Sequence, residues 1–285
     1  MTQKDTKEWD IVISPKRKFF DISIFSDLIK YKDLIFMFIK RDFVTFYKQT
    51  ILGPLWYVIQ PLVNTIVFTI IFGNLAKLPT DGMPPFIFYM AGNVCWSYFA
   101  VCIQATSNTF VKHEGIFGKV YFPRLTVPIS HIIISLLQFA IQFSIFVFFL
   151  IYFIYSGSSI SLDFKVLLLP LILLHSALLS LGCGMIISSL TAKYRDLTFA
   201  MTFFVQLWMY ASPIVYPLSL IPEKYQLLAA FNPMTAIIES FKLCFLGESS
   251  IQFVHMQISL GMTVFLFILG LILFNKVEKN FMDTV

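Results

Sequence analysis

Long apolar runs, separated by short polar stretches, occupy most of the sequence after residue 53. A helix of about 20 apolar residues, rising about 1.5 Å per residue, crosses the hydrocarbon core of a bilayer, which is about 30 Å thick. Six runs reach this length and are predicted to be membrane-spanning helices: 54–75, 86–111, 125–155, 166–190, 197–216 and 251–274. The pattern therefore predicts an all-α integral membrane protein.

The segment 217–250, which precedes the last run, has a different pattern. Its best apolar stretch, 234–246, has only 13 residues. Charged residues interrupt the segment, among them Glu223, Lys224, Glu239 and Lys242. A stretch this short and polar cannot cross a bilayer alone, so one or two short re-entrant or interfacial helices are predicted here.

Residues 27–50, ahead of the first run, mix apolar and basic positions. Apolar side chains recur near helical spacing with Lys or Arg between them: Leu28, Tyr31, Ile35, Phe38 and Ile39. This pattern is typical of an amphipathic helix in the membrane interface, which either only anchors the first span or has a further role. The first 33 residues contain no short apolar core with a cleavage site, so no cleavable signal is expected.

The distribution of positive charge predicts the orientation. Hydrophobic residues make up 58% of the 285 residues and charged residues 13%, whereas soluble proteins carry about a quarter charged residues. Of the 21 Lys and Arg, 17 lie on the side of the bilayer that holds both termini. Because positively charged loops stay in the cytoplasm, both termini are expected there. The predicted division is a cytoplasmic N-terminal segment (1–53), a transmembrane domain (54–275) and a cytoplasmic tail (276–285).

The six runs contain no Asp, Glu, Lys or Arg. Ion-coupled carriers and membrane enzymes need ionisable groups in their interior, so both classes are disfavoured. His131, His175 and His255 are isolated along the chain, and each is interpreted as an interhelical hydrogen-bonding group. Gly115 and Gly118 lack the spacing of a phosphate loop, so no ATP site is expected, and the four cysteines follow no disulfide or metal pattern.

Within the six apolar runs, the side chains that could bind a substrate are uncharged polar or aromatic. Amides one helical turn apart share a helix face in three of them: Gln60 with Asn64, Gln104 with Asn108, and Gln138 with Gln142. One interpretation is a hydrated path that hydrogen-bonds a glycan, with some of the aromatic residues, 17% of the chain, stacking on sugars. The other is that the amides join helices while the Phe rings face lipid.

Five short stretches, in consistent order and spacing, resemble a known family. They are YKQTILGPLW at 47–56 followed by Gln60 and Pro61, KVYFPR at 119–124 followed by Pro128, YRDL at 194–197, SPIVYP at 212–217, and NPM at 232–234. Together they resemble the permease subunits of type-2 ABC exporters, in the group that exports O-antigen and other cell-surface polysaccharides. The resemblance extends from about residue 33 to the end and departs at Lys242, where such permeases often carry arginine.

The resemblance implies a homodimer of six-span subunits resting on two separate ABC ATPase subunits. ATP and Mg would be held by those partners, with no cofactor in this chain and no nucleic acid. The loop 112–124 would carry a coupling helix that docks on the ATPase through Gly115, Ile116, Phe117, Lys119, Phe122, Pro123 and Arg124. Of these, Gly115, Ile116 and Phe117 are expected to form an exposed apolar knob among charges, with a plain solvated turn as the alternative. The segment 217–250 would cap the exit as a gate, together with Pro213, Tyr216, Pro217, Asn232 and Pro233.

The working hypothesis is ATP-driven export of polysaccharide, linked to polyprenyl pyrophosphate, across a bacterial inner membrane. Lys40, Arg41 and Lys48 are candidate pyrophosphate contacts, although the positive-inside bias also explains them. Candidate path residues are Trp56, Gln60, Asn64, Trp96, Gln104, Gln206, Trp208 and Tyr210. A teichoic acid, capsule, lipid or drug cargo stays open within the family. An ion-coupled carrier and a membrane enzyme of glycan assembly are more distant alternatives.

Overall fold

The computed structural model describes residues 28–48, 53–120, 122–158, 160, 163–247, 249 and 251–284. Side chains at 46–48, 54, 223 and 279–284 are outside this description. Most of the N-terminal segment, residues 49–52 of the first motif, Tyr121 of the second, and the side chain of Lys48 therefore lie outside the described residues.

Helices make up the architecture of the described residues. In chain order they are α1 (Lys32–Lys48), α2 (Trp56–Phe68, continued by a π-helical segment Thr69–Leu75), α3 (Pro85–Ser107), α4 (Thr109–Phe117), α5 (Thr126–Tyr155), α6 (Leu169–Thr191, preceded by a 3-10 turn Phe164–Leu168), α7 (Leu197–Tyr210), α8 (Glu223–Ala230), α9 (Pro233–Leu246) and α10 (Phe253–Thr284). The predicted all-α membrane fold is confirmed.

Within the part of the chain described, five helices are long and apolar enough to cross a membrane. They cover Trp56–Leu75, Pro85–Ser107, Thr126–Tyr155, Phe164–Thr191 and Phe253–Glu278. These agree with the first four predicted spans and the last one. The second ends earlier than predicted, because the helix breaks at Asn108 and α4 continues as a separate element.

The fifth predicted span is shorter than expected. The run 197–216 forms a helix only over Leu197–Tyr210, 14 residues or about 21 Å, which is less than the hydrocarbon thickness. Pro213 and Pro217 prevent the helix from continuing. The apolar residues after α7 pack against α3 instead: a Cβ added to Gly92 would lie 3.2 Å from the Cα of Ile214.

The segment before the last span forms two short helices, as predicted. Lys224–Ala230 and Pro233–Leu246 meet at 98°, the geometry of a broken span or a re-entrant loop. α8 is largely exposed, whereas nearly every residue of α9 is buried among α3, α5, α6 and α10. The hairpin is therefore anchored by α9.

α3 lies at the centre of the subunit. It is buried over most of its length and packs against α2, α5, α6 and α9. Asn93 of α3 donates from Nδ2 to the carbonyl oxygen of Pro61 in α2, at 3.1 Å. This bond crosses between two spans, where an unpaired amide would be costly.

α6 packs closely against α10 and α3 at glycines. A Cβ at Gly182 would lie 2.7 Å from the backbone nitrogen of Phe267 in α10, and one at Gly270 would lie 2.5 Å from the carbonyl oxygen of Gly182. A Cβ at Gly184 would lie 2.5 Å from the Cβ of Thr106 in α3. Small residues allow membrane helices to pack this closely.

A polar contact accompanies this packing. His175 of α6 places Nε2 3.0 Å from Oγ1 of Thr263 in α10. Ser259, one turn away on α10, donates to the carbonyl oxygen of Pro233 at 2.8 Å. His175 is therefore an interhelical hydrogen-bonding group, as interpreted from the sequence, and the network reaches the start of α9.

Contacts between connecting segments divide the bundle into two ends. The basic end comprises α1, α4, residues 118–120, 122–125 and 192–196, and the C-terminal part of α10; there Arg195 pairs with Glu114, with 2.9 Å between Nη2 and Oε2. The opposite end comprises the described residues among 76–84, 156–168 and 211–252; there Ser219 donates to Asp81 at 2.7 Å. The segments group as the charge pattern predicts. The cytoplasmic location of the basic end stays a prediction.

The close packing of α6 on α10 predicts that a single methyl group destabilises the subunit. Gly270→Ala places Cβ against the backbone of α6, which cannot give way as a flexible side chain would. We expect Gly270→Ala to cost about 1–3 kcal/mol, as overpacking does. Thermal unfolding of the purified protein in detergent measures this.

Gly261→Ala is the matched control in the same helix. A Cβ at Gly261 meets no heavy atom within 4 Å, and alanine favours a helix interior over glycine by about 1 kcal/mol. Its melting temperature should be unchanged or higher. Equal melting temperatures for the two variants would contradict the close-packing account.

Candidate functional site

One face of α2 carries amides and has no partner among the residues that the structure describes. Gln60 and Asn64 are exposed, and Val63 and Val67 beside them are 50% and 41% exposed. Residues three and four apart lie on one face of a helix, so these four side chains form a continuous stripe. An exposed amide in hydrocarbon leaves its polar groups unsatisfied. This face is therefore poorly suited to lipid.

α7 has a comparable face. Phe199, Phe203, Gln206 and Tyr210 follow helical spacing and are all exposed. The opposite side of α7 is held by Trp208, whose ring lies 5.1 Å from Phe99 of α3, centroid to centroid. The exposed side again combines aromatic rings with an amide.

The predicted path residues divide between these faces and the interior. Trp56, Gln60 and Asn64 of α2 and Gln206 and Tyr210 of α7 are exposed. Gln104 is half-buried on the side of α3 that carries Val101 and Ala105. Trp96 is only 4% exposed and packs inside the subunit against Phe99 and Trp208. The first five can face a partner or a path, whereas Trp96 cannot in this conformation.

A cavity of about 1070 Å³ lies at the basic end, between α1 and the bundle. Its apolar walls come from α3 and α5: Val101, Ala105, Ile134, Leu137 and Ile141. Its polar lining comes chiefly from α1, α2, α4 and α5: Arg41, Asp42, Thr45, Tyr57, Lys112, His113, His131, Ser135 and Gln138. The cavity thus joins a charged region to an apolar one.

The charged part of the cavity has an excess of cations. Arg41 and Lys112 are the two basic side chains, and Arg41 pairs with Asp42 at 2.7 Å. His131 places Nδ1 3.7 Å from Asp42 Oδ2, a neighbour that the sequence did not reveal. Burial lowers the pKa of His113, which favours its neutral form. Lys40 is exposed and does not line the cavity.

The coupling segment differs from the expectation of an exposed apolar knob. α4 places Phe110, His113 and Phe117 on one face, and Phe117 is only 3% exposed. Its ring lies 5.9 Å from Phe110 and 5.6 Å from Phe122, so it belongs to an aromatic cluster inside the subunit. The prediction of an exposed Phe117 is wrong, because the helical phase of α4 turns this ring inward. Ile116 is half-buried and lines the cavity.

Arg124, another predicted ATPase contact, is also turned inward. Nη1 donates to the carbonyl oxygen of Glu278 at 2.5 Å, and the guanidinium carbon lies 5.4 Å from the centre of the Phe117 ring. Phe122 and Pro123 are buried as well. These side chains hold the coupling segment on α10 and do not present a surface.

The exposed part of the coupling segment is smaller than predicted. Gly115, Gly118 and Lys119 are exposed, and Val120 is 60% exposed. Sequence reasoning missed Val120 because the neighbouring aromatic residues were the stronger apolar signal. An apolar side chain flanked by Lys119 is the most accessible apolar feature of this loop.

Asn232 organises the opposite end. Its Oδ1 accepts from Trp208 Nε1 at 2.9 Å and from the backbone nitrogen of Met234 at 3.1 Å, which caps α9. Its Nδ2 donates to Ser212 Oγ at 3.0 Å. Of the other predicted gate residues, Pro213, Pro217 and Pro233 are buried and Tyr216 is half-buried. Asn232 thus links the end of α7 to the start of α9.

A buried ion pair lies beside these gate residues. Lys242 Nζ is 3.3 Å from Glu239 Oε1, and each side chain is 2% exposed. Sequence reasoning noted both charges without pairing them. Opposite charges three residues apart in an otherwise apolar helix were the available signal.

Comparison with known proteins identifies the family. The family model described as "ABC-2 type transporter" matches residues 33–246. An O-antigen export system permease protein RfbA from Klebsiella pneumoniae is 28% identical over 251 residues, 88% of this chain and 94% of that protein.

Two further relatives are more distant. An RfbA permease from Myxococcus xanthus is 23% identical over 228 residues, 79% of this chain and 84% of that protein. The polysialic acid transport protein KpsM from Escherichia coli is 23% identical over 203 residues, 70% of this chain and 76% of that protein. Since the family model covers well over half of its residues, the chain belongs to the ABC-2 type transporter family.

Proposed function

We propose that this chain is the membrane-spanning subunit of an ATP-driven exporter of polysaccharide carried on polyprenyl pyrophosphate. Two copies form the membrane unit, and two separate ATPase subunits dock at the basic end and hold ATP and Mg. The protein then lies in a bacterial inner membrane with both termini in the cytoplasm. The names of the relatives, O-antigen permeases and a polysialic acid transport protein, support a polysaccharide cargo.

The observation that carries the proposal is the pair of amide-bearing faces that no described part of the chain covers. Gln60 and Asn64 on α2 and Gln206 on α7 need hydrogen-bond partners that lipid does not offer. A second copy of the chain and a hydrated path between the copies satisfy both faces. Amides donate and accept without carrying charge, which suits neutral sugars of varying composition.

The cavity at the basic end suits the carrier lipid. Arg41 and Lys112 provide cations for a pyrophosphate, and the walls from α3 and α5 suit part of an isoprenoid chain. Its volume of about 1070 Å³ is at the upper end of ordinary ligand pockets. Of the three pyrophosphate contacts first considered, Arg41 is the one that this geometry supports.

Docking of the ATPase is expected to depend on the exposed side chain of Val120. Val120→Asp places a charge on the exposed apolar side chain of the coupling segment, and such a charge in an interface costs several kcal/mol. We expect copurification of the partner ATPase to fall by more than tenfold. Quantitative pull-down from detergent-solubilised membranes measures this.

Leu220→Asp is the control for docking, because Leu220 is 47% exposed but lies at the opposite end. It should leave the complex intact. Phe117→Ala should instead lower the melting temperature, because it removes a buried ring. Full ATPase recovery with Val120→Asp would sink the proposed docking site.

Export is expected to depend on the amides of Gln60 and Gln206. Gln60→Leu and Gln206→Leu each remove hydrogen bonds to a passing glycan, worth about 1 kcal/mol or roughly fivefold in rate. We expect export of surface polysaccharide to fall about fivefold in each variant. The amount of folded protein in the membrane should be unchanged, since leucine is well tolerated there. Surface glycan is measured per copy of the protein.

Ile66→Gln is the matched control for these variants. Ile66 is 47% exposed on α2, and its spacing of six residues from Gln60 and two from Asn64 turns it away from both amides. An amide facing lipid at this position should reduce the amount of inserted protein without a specific loss of export. If Gln60→Leu and Gln206→Leu export normally, the amide faces do not line the path.

A further inference from the structure

Two formal charges are buried within a membrane helix of this subunit. Among the described residues, the only buried Asp, Glu, Lys or Arg side chains are Arg124, Glu239 and Lys242. Arg124 lies at the basic end, whereas the other two lie in α9, whose remaining side chains are uncharged. Ionisable groups at such positions are costly and mark functional elements.

The ammonium of Lys242 joins three separate segments. Nζ donates to the carbonyl oxygen of Pro213 at 2.6 Å, which ties α9 to the loop after α7. It lies 3.8 Å from the centre of the Phe88 ring, in the first turn of α3. It also pairs with Glu239 at 3.3 Å. A cation over an aromatic face and a short bond to a carbonyl are both strong when desolvated.

Glu239 extends the connection to the next loop. Its second carboxylate oxygen, Oε2, accepts a hydrogen bond from Ser249 Oγ at 2.7 Å. Ser249 Oγ in turn accepts from the backbone nitrogen of Ile251 at 3.2 Å. The pair therefore binds α9 to both loops that flank the α8–α9 hairpin and to α3.

In a membrane, apolar packing alone holds α9 less firmly than it would hold a helix of a water-soluble protein. Phe241 of α9 packs on Phe146 of α5, with 5.6 Å between ring centroids, but lipid chains offer equivalent apolar contact. Polar bonds have no such competitor in hydrocarbon. A buried ion pair is nevertheless a poor device for stability alone, because apolar side chains of similar volume often replace one without loss. Its contribution here is the connection that it makes.

We propose that Glu239 and Lys242 form a latch that keeps α9, the loop 212–217 and the start of α3 together and so closes the opposite end of the subunit. The role in export rests on the proposed function, whereas the latch itself can be tested without cargo.

Native cysteines report on the latch. Cys244 of α9 is 2% exposed and lies two residues after Lys242. Cys102 and Cys183 are also buried but lie toward the basic end of α3 and α6. Labelling with a water-soluble maleimide in lipid nanodiscs, mapped by peptide mass spectrometry, measures the opening of each site. Cys102 and Cys183 reveal general unfolding.

The single variants should open the latch. Glu239→Gln and Lys242→Met each remove a charge-assisted bond, which is worth tenfold or more in a local opening equilibrium. We expect Cys244 to label at least about tenfold faster, with Cys102 and Cys183 unchanged. Lys242→Arg keeps the cation and should stay within about twofold of the wild type. Lys224→Met, a change at an exposed lysine of α8, should have no effect.

The double variant Glu239→Gln with Lys242→Met distinguishes two roles of the ion pair: connecting α9 to its neighbours, or only stabilising the fold. It leaves no unpaired buried charge, so its melting temperature should recover most of what the single variants lose. Cys244 should still label quickly, because the bonds to Pro213 and Phe88 stay broken. This variant decides the question if the single variants fail to accumulate.

Three results would overturn the latch. Cys244 could label as slowly as in the wild type in the double variant, or do so in folded single variants. Alternatively, Cys102 and Cys183 could gain labelling rate as much as Cys244 does. A wild-type protein that exports no polysaccharide would count against the proposed function and leave the labelling result intact. The two proposals therefore fail separately.

Discussion

Close contact between α6 and its neighbours is the constraint on which the rest of this subunit depends. Helices in lipid gain little from burying apolar surface, so they are held by close packing and polar bonds. Gly182 and Gly270 allow the backbones of α6 and α10 to touch, and Gly184 brings α6 onto α3. α3 then has neighbours on all sides and becomes the axis of the bundle. The position of α9, and with it the hairpin, follows from that arrangement.

Polar groups are concentrated where the subunit meets something other than lipid. An interhelical bond from Asn93 to Pro61 satisfies one amide that stays inside. Exposed amides lie on the faces of α2 and α7, and Arg41, Asp42 and Lys112 line the cavity near α1. This distribution matches a membrane subunit that functions in contact with further chains, since an isolated copy would expose amides to hydrocarbon.

The length of apolar runs was enough to predict the fold class, five spans and the short helices before the last one. It failed at α7 because length does not reveal what an apolar residue packs against: Ile214 is buried against Gly92 instead of extending the helix. It failed at Phe117 because the phase of a nine-residue helix is set by its tertiary contacts. The ion pair of α9 was visible in the sequence as spacing, but its partner at Pro213 is a backbone atom that no pattern of side chains predicts.

The ion pair has an electrical consequence. A single charge moved across a membrane potential of 100 mV exchanges about 2.3 kcal/mol with the field. Glu239 and Lys242 carry opposite charges, and both belong to α9, so a displacement of that helix transports no net charge. Because the spans contribute no charged side chains except near their ends, the voltage across the membrane performs almost no work on these helices. A shift of these helices therefore gains or loses little energy from the membrane potential.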